Sequence, residues 1–236
     1  MKKIDNQIQQ EILTSIKFFK DGGKYSDLKV KDIENDLYNY HLQHLVKNGY
    51  IEKSDDLYKL TELGKSLVTN IDEEDKKLPA NYKVSVYMCV MVDGKILLSR
   101  RLKHPQYGYV GIPSGKIRYG EEILETAKRE LREETELAAD FKIIGNLRQI
   151  RTNSQDEVIE DGVFYICYTD KVVGDLLLDS NEGKNFWIKI EEVTKLEKLF
   201  KPSVEIVINE VLKRLKGKVD WESKFIYELK PEPEDY

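Results

Sequence analysis

The sequence is poor in the residue types that mark several protein classes. Two cysteines and three histidines among 236 residues provide neither a disulfide framework nor the spacing of a zinc site. The N-terminal stretch contains no apolar run long enough for a signal peptide or a membrane span. The formal net charge of -5 excludes a polyanion binder that works through bulk positive charge, although it is compatible with a local basic patch. We therefore expect a cytoplasmic protein whose thiols stay reduced.

The composition is that of a globular protein. Hydrophobic residues make up 40% and charged residues 34%, enough apolar material for cores in one large or two modest domains. Cys89 and Cys167 each lie in an apolar run, which predicts buried thiols. Residues 71–81 are charged, contain Pro79 and lack periodicity, which predicts a linker. The expected organisation is a domain over 1–70, this linker, a larger domain over 82–217 and an acidic tail over 218–236, whose end over 228–236 is expected to be frayed.

The N-terminal domain shows helical periodicity and a hairpin pattern. A first helix that ends at Gly22-Gly23 is predicted from apolar residues three and four positions apart, namely Ile8, Ile12, Ile16 and Phe19. A second periodic stretch covers 33–49, two short strands around a polar turn cover 50–60, and 61–68 is predicted to be helical. The stretch 39–67 resembles bacterial winged-helix regulators.

This resemblance implies a winged helix-turn-helix domain whose recognition helix enters the major groove of DNA. The side chains that it would place there are Tyr38, Tyr40, His41, Gln43 and His44. However, residues 1–70 hold eleven Lys and eleven Asp or Glu, so the basic surplus expected of a DNA-binding domain is missing. Binding of double-stranded DNA and a docking or homodimerisation role are both open for this domain.

The C-terminal domain combines strand and helix patterns. Two apolar runs flank Asp93-Gly94, which predicts a β-hairpin. Further strands are predicted within 141–151, 162–170 and 185–190, and a closing amphipathic helix over 201–216. Because the strands surround helices without regular βαβ alternation, we expect an α+β domain with a mixed sheet.

An acid-rich helix is predicted over 121–135. Helical spacing puts Glu130, Glu133 and Glu134 on one face, while Ala127 and Leu131 lie on another face and can pack against the sheet. Three carboxylates on one face repel one another unless a cation lies between them, and their hard oxygens suit Mg²⁺ or Mn²⁺. The alternative is a solvated, charge-rich helix face.

The segment 115–137 resembles the MutT/Nudix box, G-x5-E-x7-R-E-U-x-E-E-x-G-U, in which U is a bulky aliphatic residue. The matching positions are Gly115, Glu121, Arg129, Glu130, Leu131, Glu133, Glu134 and Leu137. Glu136 stands where the family usually has glycine. Since that glycine ends the helix in a left-handed conformation, another residue there costs on the order of 1 kcal/mol. The departure removes no metal ligand.

The resemblance implies a Nudix-type α/β/α sandwich with a mixed sheet, which hydrolyses a diphosphate linked to a further group. It also implies that Mg²⁺ or Mn²⁺ is bound by the carboxylates of Glu130, Glu133 and Glu134 and by the backbone carbonyl of Ser114. Arg129 and Glu130 would act in catalysis, with Arg129 orienting the glutamates.

The general base is less well defined by the resemblance. Glu182 lies five residues before Trp187, in a loop where some family members carry a metal ligand or the base. Glu157 and Glu160 are rival candidates for that role.

The substrate is expected to be a nucleotide or nucleotide-sugar diphosphate. Arg100 and Arg101 lie where the family often presents basic residues to phosphate, and Glu121 supports the site. Arg148 and Arg151 either hold phosphates or are solvated strand residues.

Two functions from different classes follow. The first is a cytoplasmic, Mg²⁺-dependent Nudix hydrolase with an accessory winged helix. The alternative is a nucleotide-sensing transcription regulator, but regulators of that sort tend to carry the winged helix after the Nudix domain and often have a degraded box. Here the order is reversed and every acidic box position is filled, which favours catalysis.

Overall fold

The computed structural model describes residues 4, 6–68, 71, 82–103, 106–152, 155–180 and 183–230. The chain divides into two compact units, Met1–Asn81 and Tyr82–Tyr236. Apart from Ile71, the linker predicted over 71–81 lies outside the described residues. Within the described ranges, no helix combines the length and the apolar character needed to cross a membrane.

The first unit combines helices with a small antiparallel sheet. Its elements are α1 (Gln7–Ile16), β1 (Gly23–Lys24), α2 (Tyr25–Leu28), α3 (Asn35–Lys47), β2 (Ile51–Ser54), β3 (Leu57–Leu60) and α4 (Glu62–Val68). The strands pair in the order β1-β3-β2. An apolar cluster that includes Ile12, Leu13, Leu42 and Leu45 forms its core. Removal of these side chains from water is the main favourable contribution to folding of the unit.

Helix α1 is shorter than its periodicity predicts. The Asn6 side chain accepts hydrogen bonds from two backbone N–H groups of the first turn and fixes the start of the helix. The helix ends at Ile16. Beyond it, hydrogen bonds between residues three apart, such as the 3.0 Å bond from Phe19 N–H to the Ile16 carbonyl, form single turns in place of the i to i+4 bonds of the helix. Phe19 is 38% exposed, and Gly23 begins strand β1. The prediction that the helix reaches Gly22-Gly23 was wrong.

The second unit is built around a mixed sheet. Its elements are β4 (Lys83–Val92), β5 (Lys95–Arg101), β6 (Val110–Gly111), β7 (Ser114–Lys116), α5 (Ile123–Thr135), β8 (Lys142–Thr152), β9 (Val158–Thr169), β10 (Gly183–Lys189), a 3-10 helix (Ile190–Lys195), α6 (Lys201–Leu215) and β11 (Phe225–Leu229). The strand order is β10-β5-β4-β9-β8-β11, and β6 and β7 pair with β5 and β4. The β4–β9 and β8–β11 pairs are parallel, and the β4–β5 and β8–β9 pairs are antiparallel.

The predicted hairpin is confirmed. A two-residue turn joins β4 to β5, and Asp93 and Gly94 have φ values of 50° and 70°. Positive φ at both central residues is the requirement of the turn type that matches the twist of a hairpin, and Asp-Gly meets it well.

Strand β4 divides the unit into three layers. Its residues Val86, Met88 and Val90 pack on one face with Ala127 and Leu131 of α5. The intervening residues of β4 face the opposite cluster, to which α6 contributes. This period-two alternation places one helix on each face of the sheet, so the expected α/β/α sandwich with a mixed sheet is confirmed.

The fraying predicted over 228–236 is wrong for Glu228 and Leu229, which belong to a strand. Strand β11 pairs in parallel with β8 through Phe225–Leu229. Two contacts explain its order: Phe225 is 9% exposed in the core, and the Arg214 guanidinium donates a 2.6 Å hydrogen bond to the Ser223 carbonyl. Residues 231–236 lie outside the described part of the chain.

Candidate active site

Helix α5 carries its acidic residues on the face that does not pack on the sheet. Ala127 and Leu131 are fully buried. Their burial fixes the rotation of the helix about its axis, so Glu130, Glu133 and Glu134 lie outside the packed face.

The helix ends at the residue that departs from the box. Glu136 adopts a left-handed conformation with φ 61° and ψ 1°, and its N–H donates to the Arg132 carbonyl at 3.0 Å. A side chain at this φ is strained, because Cβ approaches the following carbonyl oxygen. Glu136 thus adopts the left-handed backbone conformation that a glycine normally provides at the end of this helix.

Arg129 organises the acidic cluster. Its Nε and Nη2 donate to the two carboxylate oxygens of Glu121 at 2.7 and 2.8 Å. Its Nη1 donates to Glu130 at 2.7 Å and to Glu133 at 3.1 Å. Hydrogen bonding from Arg129 lowers the pKa of Glu121 to about 2, and Glu121 in turn raises the pKa of Arg129. The guanidinium therefore bridges three carboxylates, and its single positive charge offsets part of their combined negative charge.

Gly115 allows Glu130 to approach strand β7. A Cβ atom at Gly115 would overlap the Cγ and Cδ atoms of Glu130. The Glu130 carboxylate consequently lies against the backbone of β7, next to Ser114. Only glycine permits this approach without displacement of the glutamate.

The donor chemistry of this region fits a hard divalent cation. Glu130, Glu133 and Glu134 supply carboxylate oxygens, and the Ser114 carbonyl supplies a further oxygen. Among the described residues, no three His, Cys, Asp or Glu side chains lie close enough to hold an ion. Arg129 bonds to two of the carboxylates instead, so an ion would require Glu130 and Glu133 to turn away from it.

A cleft of about 130 Å³ lies next to the acidic helix. Ser114 and Glu134 both line it. Its other lining side chains include the basic Lys83, Arg101, Lys103 and Arg151 and the aromatic Tyr87, Tyr109, Phe164 and Phe200. This cleft has acidic residues on one side and both cations and aromatic rings on the others. The cations suit an anion, and the rings suit a flat ring of the same ligand.

Glu160 lies in the cleft between two cations. Lys83 Nζ is 2.7 Å from its Oε1, and Arg151 Nε is 3.2 Å from its Oε2. Arg151 is 8% exposed, and its guanidinium lies 5.1 Å from the centroid of the Phe200 ring. Arg151 is therefore a buried cleft residue and not a solvated strand residue. Both carboxylate oxygens of Glu160 are thus engaged by cations.

The other residues that the sequence suggested fall in different places. Arg101 lines the cleft, whereas Arg100 donates a 2.8 Å hydrogen bond to the Gly108 carbonyl and is not part of the cleft lining. Glu121 bonds to Arg129 and acts on the site through it. Glu182 lies outside the described residues.

Two further candidates are also away from the cleft. Glu157 is exposed, and Arg148 bonds to Asp161 at 2.7 Å and Glu228 at 3.1 Å. The predictions that these residues serve the site gain no support from their positions.

Several cleft residues carry no motif that could have indicated them. Gln106 follows β5 on a loop, and Tyr87 and Phe164 lie on strands in the interior of the sheet. The rings of Tyr87 and Phe164 stack with centroids 4.5 Å apart, and burial raises the pKa of Tyr87 to about 12. Their strand patterns predict core packing, and only the sheet order shows that they also face a cleft.

Helix α3 of the first unit corrects part of the predicted nucleic-acid surface. Tyr38 is 0% and His41 7% exposed, because both face the core of that unit. Neither can contact a base in this conformation. Tyr40, Gln43 and His44 are exposed on the same helix.

The fold and the site define a class of protein. An α/β/α sandwich in which an acidic helix adjoins a basic, aromatic cleft can bring a metal ion and a phosphorylated substrate together. The family model described as NUDIX domain matches residues 81–209, more than half of the chain. The chain therefore belongs to the Nudix family, as a pyrophosphohydrolase.

Individual relatives are similar over this domain. The chain is 29% identical over 119 residues to an uncharacterised Nudix hydrolase of Bacillus subtilis, YvcI, covering 49% of this chain and 72% of that one. Among solved structures, it is similar to the NUDIX domain of Shewanella oneidensis NrtR complexed with ADP ribose (20% identity, TM-score 0.50, 66% of this chain and 99% of that one). It is also similar to a MutT protein from Bacillus halodurans (23% identity, TM-score 0.48, 63% and 91%).

Proposed function

We propose that the second unit hydrolyses the diphosphate of a nucleoside diphosphate linked to a further group, with Mg²⁺ or Mn²⁺ as cofactor. The observation that carries this proposal is the position of Ser114 and Glu134 in the lining of a cleft whose other polar residues include four cations. A bound divalent ion would neutralise the diphosphate and lower the pKa of a water molecule. That chemistry needs both oxygen donors and a substrate channel at one place.

The chain's own residues supply positioning and charge. Glu130, Glu133, Glu134 and the Ser114 carbonyl would hold the ion. If Glu130 and Glu133 turned from Arg129 toward the ion, Arg129 would remain anchored by its two bonds to Glu121. Arg101 and Lys103, on the cleft wall, would bind phosphate oxygens. The reaction is attack of water at phosphorus with cleavage of the P–O bond of the anhydride.

A matched pair of variants tests the hydrolase. The purified protein is incubated with Mg²⁺ and a panel of nucleoside triphosphates, ADP-ribose, NADH and nucleotide sugars, and phosphate-containing products are quantified. We expect Glu133→Gln to lose activity by about a hundredfold or more, because it removes a metal ligand. Glu125→Gln, an exposed change on the same helix, should keep activity. If wild type and Glu133→Gln are equally inactive on the whole panel, the proposal fails.

We include ADP-ribose in the panel for a specific reason. The Nudix domain of NrtR, which shares this fold, binds ADP ribose. The cleft described here offers the cations and aromatic side chains that a nucleotide diphosphate requires. We propose that a nucleotide of this kind is the substrate of this chain.

For the first unit we propose a winged-helix module that binds double-stranded DNA. Three helices, α1, α2 and α3, precede the β2–β3 hairpin, and α4 follows it. The exposed Tyr40, Gln43 and His44 lie on α3, the helix that precedes the hairpin. Docking, including homodimerisation, is the rival role, and it is favoured by the neutral charge of residues 1–70.

DNA selection with the full-length protein distinguishes these roles. We expect enrichment of a sequence motif, affinity that falls with salt, and loss of the motif in a Tyr40→Ala, Gln43→Ala double variant. If the protein retains no DNA duplex at low salt, the docking role is favoured. Sedimentation of the full-length protein would then show a dimer. We also propose a cytoplasmic location, in keeping with the two buried free thiols.

A further inference from the structure

One polar group in the cleft has no hydrogen-bond partner among the residues that the structure describes. Gln106 follows strand β5, lines the cleft and is 9% exposed. Its Nε2 is buried and makes no hydrogen bond in the described structure. Buried amide nitrogens nearly always have a partner, because an unpaired donor has lost its bonds to water without replacement. Because Gln106 lines the cleft, a ligand that entered it could supply the missing partner once the amide turned toward it.

Hydrogen bonds connect residues 106–109 to one another and to strand β5. Gln106 has a φ of 60°, and its carbonyl accepts a 3.2 Å hydrogen bond from Tyr109 N–H. Gly108 N–H donates to the Arg101 carbonyl at 2.8 Å, and the Gly108 carbonyl accepts from Arg100 Nη1 at 2.8 Å. These bonds tie the loop to β5. Arg100 thus supports the cleft wall, although it does not line the cleft.

The chemistry of the amide selects the part of the substrate that it can bind. The charged side chains of the cleft suit the diphosphate, whereas a neutral amide suits a base. The terminal amide of glutamine presents a donor beside an acceptor, and its last torsion turns through a broad range, so either atom can face the cleft. A base edge with an acceptor beside a donor is its complement.

Adenine offers such an edge. Glutamine binds N7 and the 6-amino group of adenine with two hydrogen bonds, whereas the same edge of guanine offers two acceptors and suits arginine or lysine. Tyr109 and Phe200, whose ring centroids are 5.0 Å apart, line the same cleft and supply apolar surface for a flat ring.

We propose that Gln106 is a specificity-determining residue that binds the base of an adenine nucleotide in this cleft. The inference rests on the proposed function for the orientation of the nucleotide, with the diphosphate next to Ser114 and Glu134. It does not depend on turnover, because base recognition requires neither the metal ion nor the attacking water.

The test measures binding without catalysis. ADP-ribose, its 7-deaza analogue with C–H in place of N7, and GDP-mannose are titrated calorimetrically into the full-length protein in the presence of EDTA. We expect wild type to bind ADP-ribose about tenfold more tightly than either of the other two ligands. Gln106→Met, similar in length but apolar, and Gln106→Glu, which replaces the donor with an acceptor, should each bind ADP-ribose about tenfold more weakly.

The decisive quantity is the 7-deaza penalty, that is, the factor by which the 7-deaza analogue binds more weakly than ADP-ribose. It should disappear in Gln106→Met and persist in Gln7→Met, the same change at an exposed position of helix α1. Equal affinity of wild type and Gln106→Met for ADP-ribose, a penalty that survives in Gln106→Met, or no binding of ADP-ribose by wild type would each overturn the inference.

Two controls separate other causes. The unfolding temperature of Gln106→Met should not fall below that of wild type, because the variant removes an unpaired buried donor. If Gln106→Met does not fold, Gln106→Glu and the wild-type 7-deaza comparison decide the outcome. Intact binding in EDTA combined with no hydrolysis in Mg²⁺ would refute the proposed function and leave this inference standing.

Discussion

Arg129 holds Glu121 through two parallel hydrogen bonds, Nε to Oε1 at 2.7 Å and Nη2 to Oε2 at 2.8 Å. The remaining guanidinium nitrogen, Nη1, contacts Glu130 and Glu133. Glu121 therefore fixes the orientation of the guanidinium, which in this metal-free arrangement holds two of the carboxylates proposed to bind the cation. The acidic cluster is a connected network and not a row of independent side chains.

The first prediction concerns the geometry of this fork. Arg129→Lys keeps the positive charge but cannot make two parallel bonds to one carboxylate. Because small displacements of reacting groups are costly, we expect kcat to fall about a hundredfold, while KM changes little. Steady-state kinetics on the best substrate of the panel measures both. Arg132→Lys, an exposed change on the same helix, should have wild-type kinetics, and a wild-type kcat in Arg129→Lys would contradict the role of the fork.

The second prediction concerns acid stability. Arg129 lowers the pKa of Glu121 from 4.5 to about 2 in the folded protein. A carboxyl group whose folded pKa is depressed contributes stability that is fully present above its unfolded pKa and is lost as pH falls through the folded value. The stability difference between wild type and Glu121→Gln should therefore shrink as pH falls from 4.5 towards 2. Urea titrations at several pH values measure it, and a difference independent of pH would exclude this linkage.

The third prediction concerns the end of helix α5. Glu136 has a φ of 61°, a conformation that favours glycine. Glu136→Gly should raise the free energy of unfolding of this unit by about 0.5–1 kcal/mol, because the relief of strain exceeds the added flexibility of the unfolded chain. Thermal and urea unfolding would measure the gain. Glu136→Ala, which also removes the carboxylate but keeps Cβ, should give no such gain; equal gains in both variants would point to charge and not to backbone strain.

The second unit shows which features a single sequence encodes locally. The turn at Asp93-Gly94 and the register of the box residues on α5 depend on spacing over a few residues, so they could be predicted. The departure at Glu136 could be located for the same reason: the position is fixed by the box, and its left-handed φ follows from the end of the helix.

Features that depend on pairing between strands far apart in the sequence could not be predicted. Arg151 and Glu160 lie opposite each other on β8 and β9, and Lys83 reaches them only because β4 pairs in parallel with β9. Gln106 belongs to the cleft because a loop is tied back to β5. Likewise, the periodicity of α3 did not identify which of Tyr40 and His41 is buried, since a rotation of one position about the helix exchanges them.

Strand β11, which extends into the segment predicted to be frayed, lies near a buried ion pair between Glu210 and Arg214. Glu210 is 7% and Arg214 1% exposed as side chains, and their Oε2 and Nη1 atoms are 2.8 Å apart. Arg214 also donates to the Ser223 carbonyl at 2.6 Å and contacts the Ile144 carbonyl at 3.4 Å, which links α6 to β8 and to the approach of β11. Although burial raises the pKa of Glu210, hydrogen bonds from Lys213 and Arg214 outweigh it and leave the pKa below its usual value.

The fourth prediction is that this pair is essential for stability. Glu210→Gln leaves the Arg214 guanidinium buried without its counter-charge, so the free energy of unfolding should fall by about 3–5 kcal/mol. Glu205→Gln breaks only the exposed contact with Lys201 at 3.9 Å and should cost less than about 1 kcal/mol. Urea unfolding compares the two variants, and hydrogen exchange should show faster exchange of the β11 amides in Glu210→Gln. Equal, small losses in both variants would mean that the buried pair contributes no more than a surface one, and that apolar packing of Phe225 alone holds β11 in place.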